Sequence, residues 1–486
     1  MSFHRAIRAT GAATVVSFVL ALGSSVIVAR LLTPTEIGIF SIAVSLLAFG
    51  HVLRDFGVGQ YIGKLREVTR EDMQAGFSVM LITSWSVAAL MLVAAPFAAR
   101  FYAQPGIQDV FLVLAASFAV LPFGSHILSM LKRDMAFDQV AMINIAASVV
   151  QTAVTLLCAW AGASYMSMAW GSLAGNVTTV LCLFAARPGL ALLPPTLKGL
   201  GPVLRFGGTA SVASLIGRLG ESGPDLVLGK TLSVDAVAHF SRANSPLTMV
   251  SARVNEVLIQ VFGPAFAKGL REDQPPAPML ARAIEAHTGL QIPLVLTLAL
   301  LSQPMILLMF GDQWHEAADI APWITLWSVL VAPIQLAHSA LMAGGHARAF
   351  LRASVLCNLS LLGVLMSSLW LDLAQVAMAL LLFRVATLWA WERELARHYD
   401  FGMRWLWRAS RRSLALGLAT AGPAGIVMLL MKRGWPQAPL LVQLALVSAT
   451  AGIAYLTMLR AWRHPLRDEL VRLAPPLARV LGVPPP

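Results

Sequence analysis

Charged side chains inside long apolar stretches are the residues of this chain whose types and spacing could do chemistry. Arg54 and Asp55 stand together in one such stretch, and Arg218, Glu221 and Asp225 follow each other at three- and four-residue spacing in another. On a helix that spacing places the three side chains on one face. A charge is costly in a hydrocarbon layer and normally faces a partner or a water-filled cavity. The pattern therefore predicts a polar site within the membrane.

Two more positions extend this predicted site. Arg253 and Glu256 are three residues apart, and Arg384 lies alone in a later apolar stretch. Arginine binds phosphate or diphosphate through paired hydrogen bonds, and a carboxylate can take up a proton or sodium. The predicted substrate-binding residues are Arg54, Asp55, Arg218, Glu221, Asp225, Arg253, Glu256 and Arg384, with ion coupling assigned to Asp55, Glu221 and Asp225.

A purely structural interpretation of some of these charges stays open. Asp55 with Arg54, and Glu256 with Arg253, would then be internal salt bridges that fix helix packing. Arg384 would extend its side chain to the nearby membrane surface. The single histidines on apolar helices, His287 and His338, are interpreted as packing residues.

The elements that must position these charges are membrane helices. Of the 486 residues 57% are hydrophobic and only 12% are charged, a balance typical of membrane proteins. The formal net charge is +12, but the Lys and Arg residues lie between apolar runs rather than in one block, so nucleic-acid binding is not expected. An all-α, multi-pass membrane protein is predicted, with the lipid bilayer as its surroundings.

Apolar runs long enough to cross the hydrocarbon layer divide the sequence into about fourteen spans. The predicted spans are 10–32, 37–62, 76–101, 107–131, 139–161, 163–186, 203–230, 236–266, 284–310, 317–343, 350–371, 373–392, 412–431 and 438–460. Residues 1–198 form the predicted N-terminal lobe with six spans, residues 199–400 the C-terminal lobe with six, and residues 401–486 two additional spans and a tail. Lys and Arg gather in alternate loops, which predicts that both termini are cytoplasmic.

Internal similarity supports the division into two lobes. Residues 28–43 and 228–243 repeat each other weakly; the matching positions are Arg30 with Lys230, Thr33 with Ser233, and Phe40-Ser41 with Phe240-Ser241. Prolines recur in the same order, because Leu121-Pro122 in span four parallels Ala332-Pro333 in span ten. Paired lobes with a site between them are common in transporters. Gly223-Pro224 is expected to interrupt the helix of span seven.

Motifs of soluble catalysis are missing from the sequence. It contains no Asp-x-Asp for a nucleotide-sugar metal, no His-Glu-x-x-His and no Gly-x-Ser-x-Gly. The longest polar interval, near residues 392–411, is too short for a catalytic domain. We expect no enzyme, no cofactor and no bound metal.

Three segments together resemble Wzx-type polysaccharide flippases of the multidrug/oligosaccharidyl-lipid/polysaccharide exporter superfamily. They are Val28-Ala-Arg-Leu-Leu-Thr-Pro-Thr-Glu-Ile-Gly-Ile-Phe40 with Leu53-Arg-Asp-Phe-Gly-Val-Gly-Gln-Tyr61; Asp225-Leu-Val-Leu-Gly-Lys-Thr-Leu-Ser233 with Phe240-Ser-Arg-Ala243; and Pro304-Met-Ile-Leu-Leu-Met-Phe-Gly-Asp-Gln-Trp314. One departure is Ala238-His239, where members of the family usually have Gly-x-Tyr or Gly-x-Phe.

The resemblance implies two six-helix lobes that alternate between inward-open and outward-open states in the bacterial inner membrane. The implied cargo is an oligosaccharide on undecaprenyl diphosphate, for exopolysaccharide, capsule or O-antigen synthesis. Polysaccharide polymerase and chain-length proteins are implied partners. The alternatives are an ion-coupled multidrug antiporter of the same superfamily, a flippase for a peptidoglycan lipid precursor, and a membrane glycosyltransferase or polymerase.

Overall fold

Helices account for the secondary structure of the described part of this chain. The computed structural model describes residues 3–55, 58, 62, 68–190, 193–462 and 464–467, and no strand occurs among them. The chain divides into two compact units, Met1–Ala238 and His239–Pro486. The all-α prediction is confirmed. The first compact unit extends past residue 198, and the predicted lobe boundaries at 198 and 400 stay predictions.

Eight α-helices and the start of a ninth form the described part of the first unit. They are α1 (Phe3–Leu31), α2 (Pro34–Asp55), α3 (Arg70–Phe101), α4 (Gly106–Val120), α5 (Pro122–Arg133), α6 (Phe137–Trp160), α7 (Met166–Ala186), α8 (Leu200–Thr231) and α9 (Val234–Arg271). The 3₁₀ turn Pro188–Leu190 follows α7. Helix α8 packs on α2 and α3.

The second unit takes up the rest of α9 and continues with seven more described α-helices. They are α10 (Pro276–Phe310), α11 (His315–Trp327), α12 (Ala337–Ala343), α13 (Ala347–Met366), α14 (Leu373–Tyr399), α15 (Met403–Gly434) and α16 (Leu440–Ala461). The 3₁₀ segments are Asp312–Trp314, Ser328–Ile334 and Ser367–Leu369. Helices α15 and α16 pack on α10, where Tyr455 of α16 donates a hydrogen bond of 3.3 Å to the Gly289 carbonyl.

The chain is a multi-pass membrane protein. Within the described residues, ten helices or helical runs are long and apolar enough to cross a membrane, and the bent pair α4–α5 makes an eleventh if it is one span. Within the described residues, each of the fourteen predicted segments overlaps a helix or a run of short helices. The total of fourteen crossings stays a prediction.

The two prolines that the repeat aligns both lie in irregular parts of their spans. Helices α4 and α5 meet at Leu121-Pro122 with a bend of 52°. In span ten the α-helix gives way to the 3₁₀ segment Ser328–Ile334, which contains Pro333. Proline has no N–H and its ring collides with the preceding turn, so a helix bends or ends there. Spans four and ten therefore both depart from a straight α-helix, span four at Pro122 and span ten over Ser328–Ile334.

The expected interruption at Gly223-Pro224 is wrong. Helix α8 runs from Leu200 to Thr231 with Pro224 inside it. A proline removes one backbone donor, and the turns on both sides can continue when the helix is held by its neighbours. Here α2 and α3 supply those neighbours.

The two copies of the repeat occupy equivalent places, and within the first unit they touch. Helix α1 ends at Leu31 and α2 begins at Pro34, while α8 ends at Thr231 and α9 begins at Val234. Gly38 lies so close to the second junction that a Cβ added to it would be 2.1 Å from the Val234 carbonyl oxygen. A residue with no side chain is required at position 38, because backbone meets backbone there.

Local hydrogen bonding explains why each copy starts a helix. Thr33 accepts a hydrogen bond from the Glu36 N–H at 3.3 Å, and the Glu36 carboxylate accepts one from the Thr33 N–H at 2.7 Å. This reciprocal pair is the capping box that Thr-x-x-Glu predicts. In the second copy Ser233 accepts a hydrogen bond from the Ala236 N–H at 3.1 Å. Alanine at position 236 has no carboxylate, so the return hydrogen bond of the capping box cannot form.

Candidate functional site

Two of the three charges predicted on one face of α8 form an ion pair. The Arg218 Nη1 is 2.6 Å from Glu221 Oε2, one helical turn away. The two side chains keep 45% and 68% of their surface exposed. An exposed ion pair adds little to stability, because its charges stay solvated and two long side chains lose freedom. The Arg218–Glu221 contact therefore contributes little to the stability of α8.

Asp225, the third residue of that face, turns instead toward α2. Its Oδ2 accepts a hydrogen bond of 2.6 Å from the hydroxyl of Ser45, a buried residue of α2. The structure thus separates Asp225 from the Arg218–Glu221 pair and joins it to another helix. Sequence reasoning missed Ser45, because the two partners are 180 residues apart and no spacing rule connects them.

The end of α8 is fixed to the end of α3 next to this contact. The Tyr102 hydroxyl donates a hydrogen bond of 3.2 Å to the Leu226 carbonyl. Lys230 donates one of 2.7 Å to the Phe101 carbonyl, and its ammonium lies 4.5 Å from the centre of the Phe101 ring. A cation over an aromatic face is attracted by the ring's electrons. These contacts hold the helix that carries both the ion pair and Asp225.

Two of the other predicted site residues, Arg54 and Arg384, each lie beside a different aromatic ring. The Arg54 guanidinium lies 5.9 Å from the centre of the Phe118 ring, and its backbone carbonyl accepts a hydrogen bond of 3.0 Å from Thr83. In the second unit the Arg384 guanidinium lies 5.1 Å from the Phe383 ring. The side chains of Asp55, Arg253 and Glu256 lie outside the described part of the structure, so their predicted pairings stay predictions.

In the second unit two of the family motifs contact each other. Arg242, from the Phe-Ser-Arg-Ala segment of α9, has its guanidinium 5.1 Å from the Phe310 ring and 5.6 Å from the Trp314 ring. Between these aromatic residues Gly311 has a φ of +95°, a conformation that favours glycine. The Phe-Gly-x-x-Trp motif is therefore a turn whose two aromatic rings enclose an arginine.

His239 takes part in the same cluster. Its ring meets Trp314 edge-on at 5.4 Å, and its Nε2 is 3.3 Å from the Glu316 carboxylate. In the alignment of the two repeat copies His239 stands opposite Ile39, at the variable middle position of Gly-x-Phe, and Phe240 keeps the aromatic position. The departure from the family pattern is therefore Ala238 in place of glycine.

The two single histidines agree with their interpretation as packing residues. His287 is buried, with its Nε2 at 2.7 Å from Asn255 Oδ1. His338 stacks on the Phe350 ring at 4.5 Å.

Comparison with solved structures supports the fold. The structure of the lipid II flippase MurJ in an inward closed conformation superposes with a TM-score of 0.73, covering 93% of this chain and 99% of MurJ at 14% sequence identity. At that identity the likeness concerns the fold alone.

Comparison with known sequences gives the family. The lipopolysaccharide biosynthesis protein WzxC of Escherichia coli (strain K12) is 22% identical over 314 residues, which are 63% of this chain and 63% of WzxC. The teichuronic acid biosynthesis protein TuaB of Bacillus subtilis (strain 168) is 20% identical over 323 residues, or 65% of this chain and 66% of TuaB. The chain thus matches somewhat less than two thirds of the length of these curated relatives.

The family model described as polysaccharide biosynthesis protein matches residues 27–319, from the end of α1 to α11. This match includes all three motif segments and confirms the resemblance to Wzx-type polysaccharide flippases. Because it takes in more than half of the sequence, the chain belongs to the polysaccharide biosynthesis protein family.

Proposed function

We propose that this protein is a flippase that moves undecaprenyl diphosphate-linked saccharide units across the bacterial inner membrane by alternating access. The exported units would serve exopolysaccharide, capsule or O-antigen synthesis. The single observation that carries the proposal is the exposed Arg218–Glu221 pair on a helix of a member of this family. The class of cargo is supported by the names of two relatives, the lipopolysaccharide biosynthesis protein WzxC and the teichuronic acid biosynthesis protein TuaB.

The ion pair supplies chemistry that suits a phosphorylated saccharide. A guanidinium binds two oxygens of a diphosphate at once, and the geometry of its donors matches that of phosphate. In the proposed mechanism Arg218 leaves Glu221 for the diphosphate, and the released carboxylate accepts hydrogen bonds from sugar hydroxyls. The lipid tail stays in the bilayer while the polar part crosses. Arg54, Arg253 and Arg384 are proposed as further contacts for the polar part of the cargo.

Coupling to an ion gradient is proposed for Asp225. Its carboxylate lies between two helices, with Ser45 of α2 as its hydrogen-bond donor at 2.6 Å. Protonation removes the charge and changes which of the two groups donates, so the α2–α8 contact depends on whether the carboxylate carries a proton. Asp55 and Glu221 are the other acidic residues proposed for this role.

The wider arrangement is proposed on the same basis. Two lobes, residues 1–198 and 199–400, would alternate between inward-open and outward-open states, and residues 401–486 would add two spans and a cytoplasmic tail. Both termini would be cytoplasmic. A polysaccharide polymerase and chain-length proteins would receive the exported units, and the protein would act as a transporter without catalysing a reaction.

Charge reversal at Arg218 tests this proposal. In a strain that lacks the native gene, Arg218→Glu should lower polymer export about 10- to 100-fold, which is the effect of losing one charge-assisted contact. The double variant Arg218→Glu/Glu221→Arg restores the pair on the helix and should recover part of the export. Lys432→Glu, an exposed charge reversal at the end of α15, is the matched control and should leave export unchanged.

Transport by purified protein in proteoliposomes distinguishes the alternatives. Lipid-linked oligosaccharide, a peptidoglycan lipid precursor and a cationic drug are offered separately, and movement of the oligosaccharide alone is expected. Normal export by Arg218→Glu at normal protein levels would refute the site. Movement of only the drug or only the peptidoglycan precursor would refute the function.

A further inference from the structure

A buried carboxylate joins two arginines at one end of the second unit. Glu394 of α14 is 3% exposed. Its Oε2 is 2.8 Å from Arg352 Nη2 of α13, and its Oε1 is 3.1 Å from Arg397 Nη1, one turn later in α14. We call Arg352, Glu394 and Arg397 the Glu394 cluster. One carboxylate thus fixes the position of two guanidinium groups.

The Glu394 cluster has more positive than negative charge. It contains two guanidinium groups and one carboxylate, and the imidazole of His398 lies 3.8 Å from the same carboxylate. Arg352 and Arg397 keep 56% and 45% of their side-chain surface exposed. Each guanidinium has five N–H donors and directs only some of them at Glu394. Donors and charge therefore remain available on the exposed side of the cluster.

Neighbouring residues increase this excess. Arg348 lies one helical turn before Arg352, Arg393 lies one turn before Arg397, and both are exposed. Like charges at that spacing repel each other. The nearby Glu392 accepts a hydrogen bond of 2.8 Å from the Met403 N–H and so caps the start of α15. A bound anion would reduce the repulsion between these arginines.

The position of the cluster indicates which anion. Helix α13 begins at Ala347 and α14 ends at Tyr399; these consecutive helices are both long and apolar enough to cross a membrane. The cluster therefore lies at the shared end of two spans. Beside it, the Arg393 guanidinium lies 5.1 Å from the ring of Trp389, which is 51% exposed. Tryptophan and arginine together are typical of the headgroup level of a bilayer.

We propose that Arg352 and Arg397, held in place by Glu394, bind the phosphate group of a lipid at the membrane surface. The fork of a guanidinium binds two phosphate oxygens, and its prior attachment to a buried carboxylate reduces the freedom lost on binding. This site is separate from the ion pair of α8 and does not depend on the proposed transport function. Its ligand can come from the bilayer, as an anionic phospholipid, or from a lipid diphosphate.

Native mass spectrometry of the purified full-length protein measures this binding. The probes are phosphatidylglycerol, phosphatidylcholine of the same chain length, and undecaprenyl diphosphate. The variant Arg352→Gln/Arg397→Gln should bind phosphatidylglycerol about 30-fold more weakly than the wild type. The variant Arg352→Lys/Arg397→Lys keeps the charge without the forked guanidinium, and its affinity for phosphatidylglycerol should lie between those of the wild type and the glutamine variant.

Arg404→Gln/Arg408→Gln removes two exposed arginines from α15 and is the matched control, which should bind phosphatidylglycerol like the wild type. Binding of phosphatidylglycerol and not phosphatidylcholine would identify a bilayer lipid as the ligand, while selective binding of undecaprenyl diphosphate would identify the diphosphate. Either result supports the site if Arg352→Gln/Arg397→Gln, the Glu394-cluster variant, loses the selective binding. Unchanged binding in that variant, or an equal loss in the control, would overturn the proposal.

Discussion

The contact between the two helix junctions predicts a large effect of one methyl group. In Gly38→Ala the new Cβ would be 2.1 Å from the Val234 carbonyl oxygen and 2.6 Å from its Cγ1. Ordinary Cβ contacts begin near 3.4 Å, so α2 and the start of α9 must separate by about 1 Å. A backbone oxygen cannot rotate away as a side chain can. The methyl group must therefore be accommodated by moving a helix.

The magnitude follows from two opposing effects. Overpacking of this kind lowers the free energy of unfolding by about 1–3 kcal/mol. The greater helix propensity of alanine raises it by at most about 1 kcal/mol. Because the obstacle is backbone, we expect Gly38→Ala to destabilise the protein by about 2 kcal/mol. For a unit of this size that lowers the melting temperature by about 4–8 °C.

Thermal unfolding of the purified protein in detergent measures the effect, with two comparison variants. Gly363→Ala in α13 meets nothing within 4 Å and should be neutral or slightly stabilising. Gly229→Ala places its Cβ 2.6 Å from Ile42 Cδ1, the end of a side chain that can turn aside, so its loss should be smaller than that of Gly38→Ala. If Gly38→Ala melts at or above the temperature of Gly363→Ala, the close approach of the two junctions is refuted.

Two further predictions concern coupling and pH. Asp225→Asn should abolish the acceleration of transport by an imposed proton or sodium gradient in proteoliposomes, and gradient dependence that survives the change would exclude Asp225 as the coupling group. His464, which follows α16, accepts a hydrogen bond of 3.2 Å from the Leu466 N–H. Burial lowers the pKa of the His464 imidazole from 6.5 to about 4, and the positive charge of Arg412 acts in the same direction. The unfolded segment then binds a proton more readily than the folded one, so docking of α16 is strongest above pH 6.5 and weakens as the pH falls toward 4. Hydrogen exchange of α16 at pH 7.5 and 5 should show this, and an equally steep change in His464→Gln would contradict it.

Much of the architecture could be predicted from the sequence, because the membrane restricts what a chain can do. Long apolar runs must form helices, since no water is present to satisfy backbone groups. The repeat at residues 28–43 and 228–243 predicted two similar lobes, and in the structure Thr33 and Ser233 both act at the start of a helix. The sequence also aligned Pro122 of span four with Pro333 of span ten, and in the structure span four bends at Pro122 while Pro333 lies in a 3₁₀ segment of span ten. Each of these signals can be read from the sequence of a segment without knowledge of which segments pack together.

Only the tertiary structure decided which charges have which partners. Spacing placed Arg218, Glu221 and Asp225 on one face, yet the first two pair with each other and Asp225 bonds Ser45 on another helix. Sequence also predicted a break at Pro224 that packing against α2 and α3 removed. The Glu394 cluster was not recognised, because Arg352 and Glu394 are 42 residues apart. Hydrophobicity and helical period are properties of a single segment. A polar contact between helices depends on which segments pack together and on how far one helix is shifted along its axis relative to the other.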